Sequence, residues 1–185
     1  FFDALHEEPL DRWYEIGNVI TIIDAGLEQN LSEASRFLLA SQVVQAGTIL
    51  YSHTQEVTNV QLVSTQSYVE QSLENLHCKK NSNQLVLQKD WDSLQESDYK
   101  AIMSSGYQTA DYAKIWLDEQ NTYDSIYFMN MEFTEEFLRR SCAEILKDSA
   151  CGKVFRIKGF QKLPDGQWIS INVTHLRTDI QPVSN

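Results

Sequence analysis

Residues Val19 to Gln55 constrain the fold more than any other stretch. They begin with V-I-T-I-I-D-A, a short and almost wholly apolar run ending in Asp24. Such a run suits a strand buried on both faces, as in a parallel sheet. A predicted helix, Leu31 to Ala46, follows, with Ala34, Phe37, Leu38, Ser41 and Val44 or Gln45 on one side. Gly47 then stands where a left-handed helix cap is expected. Thr48-Ile49-Leu50-Tyr51 reads as a second buried strand. Strand, helix and parallel strand form a βαβ unit, and ligands gather at the carboxyl ends of its strands. Two polar clusters fall there: Asp24-Ala25 and Ser52-His53-Thr54-Gln55.

The alternation continues downstream. Val57 to Leu76 is helical by pattern, with Val60, Val63, Ser67, Val69 or Glu70, and Leu73 as its apolar side. Gln84 to Leu87 is a third short strand, and Ser97 to Ser105 another helix ended by Gly106. Residues 107–122 read as a junction with a short docking helix, since Tyr112, Ile115, Trp116 and Leu117 give it an apolar face.

The pattern then changes. Tyr123 to Met131 alternates as a strand, and Thr134 caps a predicted helix, Glu135 to Lys147. Lys153 to Leu163 and Gln167 to Thr174 are strands joined by the turn Pro164-Asp165-Gly166, and His175 to Val183 adds one more. The predicted class is α/β: a partial parallel sheet with flanking helices, then a small α+β domain with a mainly antiparallel sheet. The boundaries are 1–106, 107–122 and 123–185.

Charge supports two units. The net charge of −11 arises in residues 1–121, which hold 7 Lys/Arg and 18 Asp/Glu; residues 122–185 hold 8 of each. An acidic first unit argues against a nucleic-acid footprint there. No apolar run approaches the ~20 residues of a membrane span. The three cysteines, Cys78, Cys142 and Cys151, lack zinc spacing, and a reducing cytoplasm is the expected home. His6 with Glu7 and Glu8 does not make a metal cluster, because sequence neighbours on a helix do not face one site.

Ile22-Ile23-Asp24-Ala25, Ser41-Gln42 and Ser52-His53-Thr54-Gln55 together resemble the second half of the nucleotide domain of CobW-type P-loop GTPases, a metallochaperone-like family. Val154-Phe155-Arg156-Ile157-Lys158-Gly159-Phe160 and Asp165-Gly166-Gln167-Trp168 resemble that family's C-terminal domain. The resemblance implies GTP and Mg as cofactors of a complete protein, with zinc or cobalt as cargo and a metalloprotein client as partner. The family's phosphate-binding loop, Mg-binding strand and C-x-C-C motif would lie before Phe1. The chain starts there without Met and reads as a C-terminal portion, so it should be inactive alone and hold no cofactor tightly.

The expected nucleotide-binding residues are Asp24, Ser52, His53 and Gln55; no catalytic or metal-binding residue is assigned. The family's motif ends in Lys-x-Asp, and Asp accepts two hydrogen bonds from guanine. Gln55 has one acceptor and one donor and would complement adenine better, so the partner is a guanine or an adenine nucleotide. Arg156 and Lys158 share a strand face and mark a partner surface. Neither nucleic acid nor a membrane is expected as a partner. The alternative is a non-enzymatic interaction module whose nucleotide site has decayed.

Overall fold

The computed structural model describes residues 2–78, 84–110, 112 and 125–183. The chain divides into two compact units, Phe1–Asp124 and Ser125–Asn185. The predicted junction helix lies almost wholly outside the described residues.

The first unit opens with a short helix α1 (Phe2–Leu5) and a 3-10 turn, Leu10–Arg12. Its centre is a three-stranded parallel sheet in the order β1-β2-β3: β1 (Ile20–Asp24), β2 (Thr48–Ser52) and β3 (Leu85–Leu87). Helix α2 (Glu33–Val44) links β1 to β2, and α3 (Asn59–Asn75) links β2 to β3. Both helices start at the caps that their sequences favour. Ser32 Oγ accepts the Ser35 N–H at 3.1 Å. Thr58 and Gln61 form a reciprocal capping box, which satisfies otherwise orphaned donors. After β3 comes α4 (Glu96–Met103), capped by Gln95 and Asp98.

The register decides which side chains share a face. Thr21 stands beside Ile49, and Ile23 beside Tyr51; these point at the helices. Ile23, Ile49 and Tyr51 pack there with Ala40, Val43 and Val44 of α2 and with Val69 and Leu73 of α3. Ile20 and Ile22 point the other way and are exposed on the edge strand.

Burial pushes the Tyr51 phenol up from 10.0 to about 12, with a smaller contribution from the negative charge of Glu70. A raised folded-state value favours the neutral phenol. Its contribution to stability is complete below pH 10.0 and is lost as pH rises through about 12. Phenolate absorbance of wild type minus Tyr51→Phe should therefore titrate near 12. A difference curve centred at 10.0 would show that the ring is solvated.

Four sequence expectations fail in this unit. β1 is buried on one face and not on both, with Ile20 and Ile22 exposed. Of the expected face of α2 only Val44 is buried, together with Ser35, Ala40 and Val43, while Ala34, Phe37, Leu38 and Ser41 are half-buried. Val60, Val63 and Ser67 of α3 are exposed; the buried positions are Thr65, Val69, Ser72 and Leu73. Thr65 Oγ1 donates to the Ala25 carbonyl at 2.8 Å, and Ser72 Oγ donates to Tyr68 O, also at 2.8 Å. Hydroxyls that bond backbone can face a core, so the buried stripe is not the most apolar one. Gly47 is not a left-handed cap either. Gln45 caps α2 in a right-handed conformation, and the positive-φ glycines are Gly106, Gly152 and Gly166. Gly47 is instead a point of close backbone approach to Ser105 and Gly106.

The second unit has one helix among its described residues, α5 (Glu135–Ile145), with Thr134 capping it as expected. Its sheet is antiparallel in the order β4-β5-β6: β4 (Ile157–Lys162), β5 (Trp168–Val173) and β6 (Thr178–Pro182). The β4–β5 turn is closed by Gly166 N–H to Leu163 O at 2.9 Å, with Gly166 at φ 89°. Leu138 and Cys142, one turn apart on α5, pack with Ile169, Val173 and Ile180. Arg139 ties the helix to β6 by donating to the Ile180 carbonyl at 2.9 Å.

The predicted strand Tyr123–Met131 is not formed among the described residues 125–131. Ile126, Tyr127, Phe128 and Met129 are all exposed. Both alternating sets there mix apolar and polar groups, so neither face is singled out for burial, and alternation by itself holds no strand. Trp168 lies on the sheet face opposite Ile169, away from α5, and is half exposed.

Candidate functional site

The carboxyl ends of β1 and β2 lie side by side because the strands are parallel and in register, with Asp24 beside Ser52. The chain turns sharply after each. After β1, Asp24 Oδ1 accepts the Gly26 N–H at 2.8 Å, and Ala25 N–H donates to Ser52 O at 2.9 Å. The Thr65 hydroxyl holds the Ala25 carbonyl from below. After β2, His53 takes a left-handed conformation, φ 56° and ψ 31°, and leads into the 3-10 turn Thr54–Glu56.

A non-glycine residue in that region costs on the order of 1–2 kcal/mol. Something must hold it. His53 Nδ1 lies 2.9 Å from Asp24 Oδ2, so the second carboxylate oxygen grips the imidazole across the strand ends. Asp24 therefore uses one oxygen to shape its own turn and the other to fix its neighbour's. Both side chains remain about half exposed. Backbone strain held by a partly solvated hydrogen bond at a strand terminus is a feature of ligand sites.

The structure thus brings Asp24, Ser52 and His53 together and sets Gln55 on the adjoining turn, exposed. Ser52 Oγ makes only a long 3.4 Å contact to Ile23 O. Ser41 and Gln42 do not join this group. Ser41 Oγ donates to Leu38 O at 2.8 Å. Gln42 lies along the open edge of β1, beside a shallow groove of about 230 Å³ lined by Val19 to Ile22.

Sequence reasoning missed two residues beyond β3. Trp91 Nε1–H donates to the Tyr51 carbonyl at 3.3 Å, which sets a half-exposed indole beside the end of β2. Lys89 Nζ meets both oxygens of Asp98, at 2.7 and 2.8 Å. The Lys89 hydrogen bond, helped by the Gln95 N–H, holds the Asp98 carboxyl below its ordinary value. The only signal for either was position, since both follow a predicted strand. Among the described residues, no group of three or more His, Cys, Asp or Glu could hold a metal ion. Cys78 and Cys142 are buried free thiols and Cys151 is an exposed one. No helix among the described residues is long and apolar enough to cross a membrane.

In the second unit Arg156 immediately precedes β4 and Lys158 is its second residue. Arg156 Nε donates to Asn172 Oδ1 at 2.8 Å, so the guanidinium lies across the β4–β5 pair. Lys158 is exposed and stands beside Asn172 in the register.

No protein-family model matches the chain, and neither a curated protein nor a solved structure matches it.

Proposed function

We propose that the first unit is the base-recognition half of a CobW-type nucleotide-binding domain, and that the second unit is the C-terminal domain of the same protein. One observation carries the reading. Asp24 and His53 are hydrogen-bonded at 2.9 Å at the carboxyl ends of adjacent parallel strands, where α/β sheets bind ligands, with Gln55 exposed on the next turn. The pair holds the turn that presents Gln55. Imidazole and the Trp91 indole supply flat surfaces for a purine, and Gln55 supplies one donor and one acceptor for its edge. The complete protein is then a GTPase of metallochaperone type, with Mg and the phosphate cradle contributed by parts of the fold that this chain does not carry.

Guanine presents two donors to a carboxylate, and exchanging a charged acceptor for an amide loses ~1.5–3 kcal/mol. Preference for GTP should fall about ten- to a hundred-fold relative to an aspartate at this position, and ATP should lose less. The test is an amide NMR titration of this chain with GTP and with ATP, both with Mg. Weak binding is expected, with shifts confined to Asp24, residues 52–57 and the Trp91 indole. Gln55→Asp should raise the preference for GTP. Unmoved signals at millimolar nucleotide would overturn the site. Strong GTP preference unaffected by Gln55→Asp would show that another residue reads the base.

A further inference from the structure

The two faces of the second unit's sheet differ in kind. Ile169, Val173 and Ile180 point at α5 and are buried. The opposite face carries Lys158, Phe160 and Lys162 from β4, and Trp168, Ser170 and Asn172 from β5. Phe160 is 71% exposed and Trp168 is 50% exposed. Phe160 stands beside Ser170 and Lys162 beside Trp168, so the two rings are diagonal neighbours on one surface.

Cations frame the rings. Lys158 and Lys162 flank Phe160 at steps of two residues, and Arg156 is anchored by Asn172 at the far end. Neither lysine has an ion-pair partner among the described residues. Acids on this sheet are already engaged: Asp179 pairs with Arg177 at 3.2 Å, and Asp165 Oδ1 accepts the Gln167 N–H at 2.9 Å. The face is thus basic and aromatic in a chain of net charge −11.

We infer that this face, Arg156, Lys158, Phe160, Lys162 and Trp168, docks an extended acidic peptide segment of a partner protein. The repeat is the reason. Side chains on one side of a strand recur every ~6.8 Å, so Lys158, Phe160 and Lys162 present charge, ring and charge at that spacing. An extended segment with the order acid, any residue, aromatic, any residue, acid presents the complementary series at the same spacing. Arg156, its Nε already committed to Asn172, keeps terminal N–H groups for a carboxylate. A nucleic acid fits less well. Tight binders neutralise roughly 6–10 phosphates, this face has three cations, and the chain's charge repels a polyanion at long range.

The test is an amide and indole NMR titration of the whole chain with the peptide Glu-Ser-Phe-Ser-Glu. A Lys-Ser-Phe-Ser-Lys peptide and an oligothymidylate serve as the other arms. The acidic peptide should shift the amides of residues 158–162 and the Trp168 indole. Joint Lys158→Glu and Lys162→Glu replacement should weaken it about tenfold. Both lysines are exposed, so an unchanged melting temperature will show that the variant is folded. Trp168→Ala should weaken both phenylalanine peptides. The inference is overturned if the acidic peptide leaves these signals in place at millimolar concentration. It is equally overturned if the lysine peptide shifts them as strongly, or if the oligonucleotide binds more tightly. None of these readouts involves the nucleotide site.

Discussion

Gly47→Ala is expected to destabilise the first unit by about 3 kcal/mol, the upper part of the range for overpacking. A Cβ at this position would fall 2.5 Å from the Ser105 carbonyl oxygen and 2.7 Å from the Gly106 carbonyl carbon, and nearer still to the Gly106 oxygen. All three are backbone atoms, so no side chain can swing aside. The backbone cannot retreat cheaply either. Gly47 N–H donates to Val19 O, and Gly47 O accepts the Leu85 N–H, both at 2.9 Å. Val19 N–H in turn donates to Gly106 O at 2.9 Å. Making room for one methyl group therefore strains the joint between β1, β2, β3 and the end of α4. Urea denaturation followed by circular dichroism would measure the loss. Gly17→Ala is the control: a Cβ there meets nothing within 4 Å, and a change within about 0.5 kcal/mol is expected. Equal midpoints for the two variants would refute the close-approach account.

Ile49→Ala should cost the same unit about 4 kcal/mol. Ile49 is 1% exposed at the middle of the central strand, with Thr21 and Val86 beside it in the register and α2 and α3 over it. Neighbours on all sides are fixed by sheet or helix hydrogen bonds, so the cavity cannot collapse far. Ile22→Ala removes the same atoms from an edge strand where the side chain is 57% exposed, and should cost less than about 1 kcal/mol. Two isoleucines on neighbouring strands, one register step apart and pointing to opposite faces, thus give a calibrated contrast. Similar losses at both would mean that the outer face of β1 is covered in solution.

That contrast also marks where the sequence stops being informative. The run V-I-T-I-I-D reads as buried on both faces, since both alternating sets are apolar or nearly so, yet β1 buries only one. The helices decide, by covering the face of Thr21 and Ile23. The same holds for α3, where Val60 and Val63 were the more hydrophobic choice but Thr65 and Ser72 were buried. Their hydroxyls find backbone carbonyls, and no periodicity count anticipates that. Trp168 is the reverse case: a large ring placed correctly on its strand, yet on the face that α5 leaves open.

The site shows the same division. Asp24 and Ser52 to Gln55 were legible because each cluster ends an apolar run, and strand ends are where α/β sheets meet their ligands. Their contact was not legible. Asp24 reaches His53 only because β1 and β2 pair in parallel with Asp24 beside Ser52, and because His53 turns left-handed to meet it. Trp91 carries no motif, and joined the neighbourhood only through its hydrogen bond to the Tyr51 carbonyl.

By itself, then, the sequence determined the strand–helix alternation of the first unit, the helix cap at Thr134, the turn at Gly166, and the change from parallel to antiparallel pairing. These are local matters of periodicity, side-chain capping and φ, and each is encoded within a few residues. Only the tertiary structure decided which strand face is covered, why position 47 must be glycine, and which polar groups meet at the strand ends. Those depend on groups tens of residues apart in the chain, whose separation is set by sheet register and helix placement.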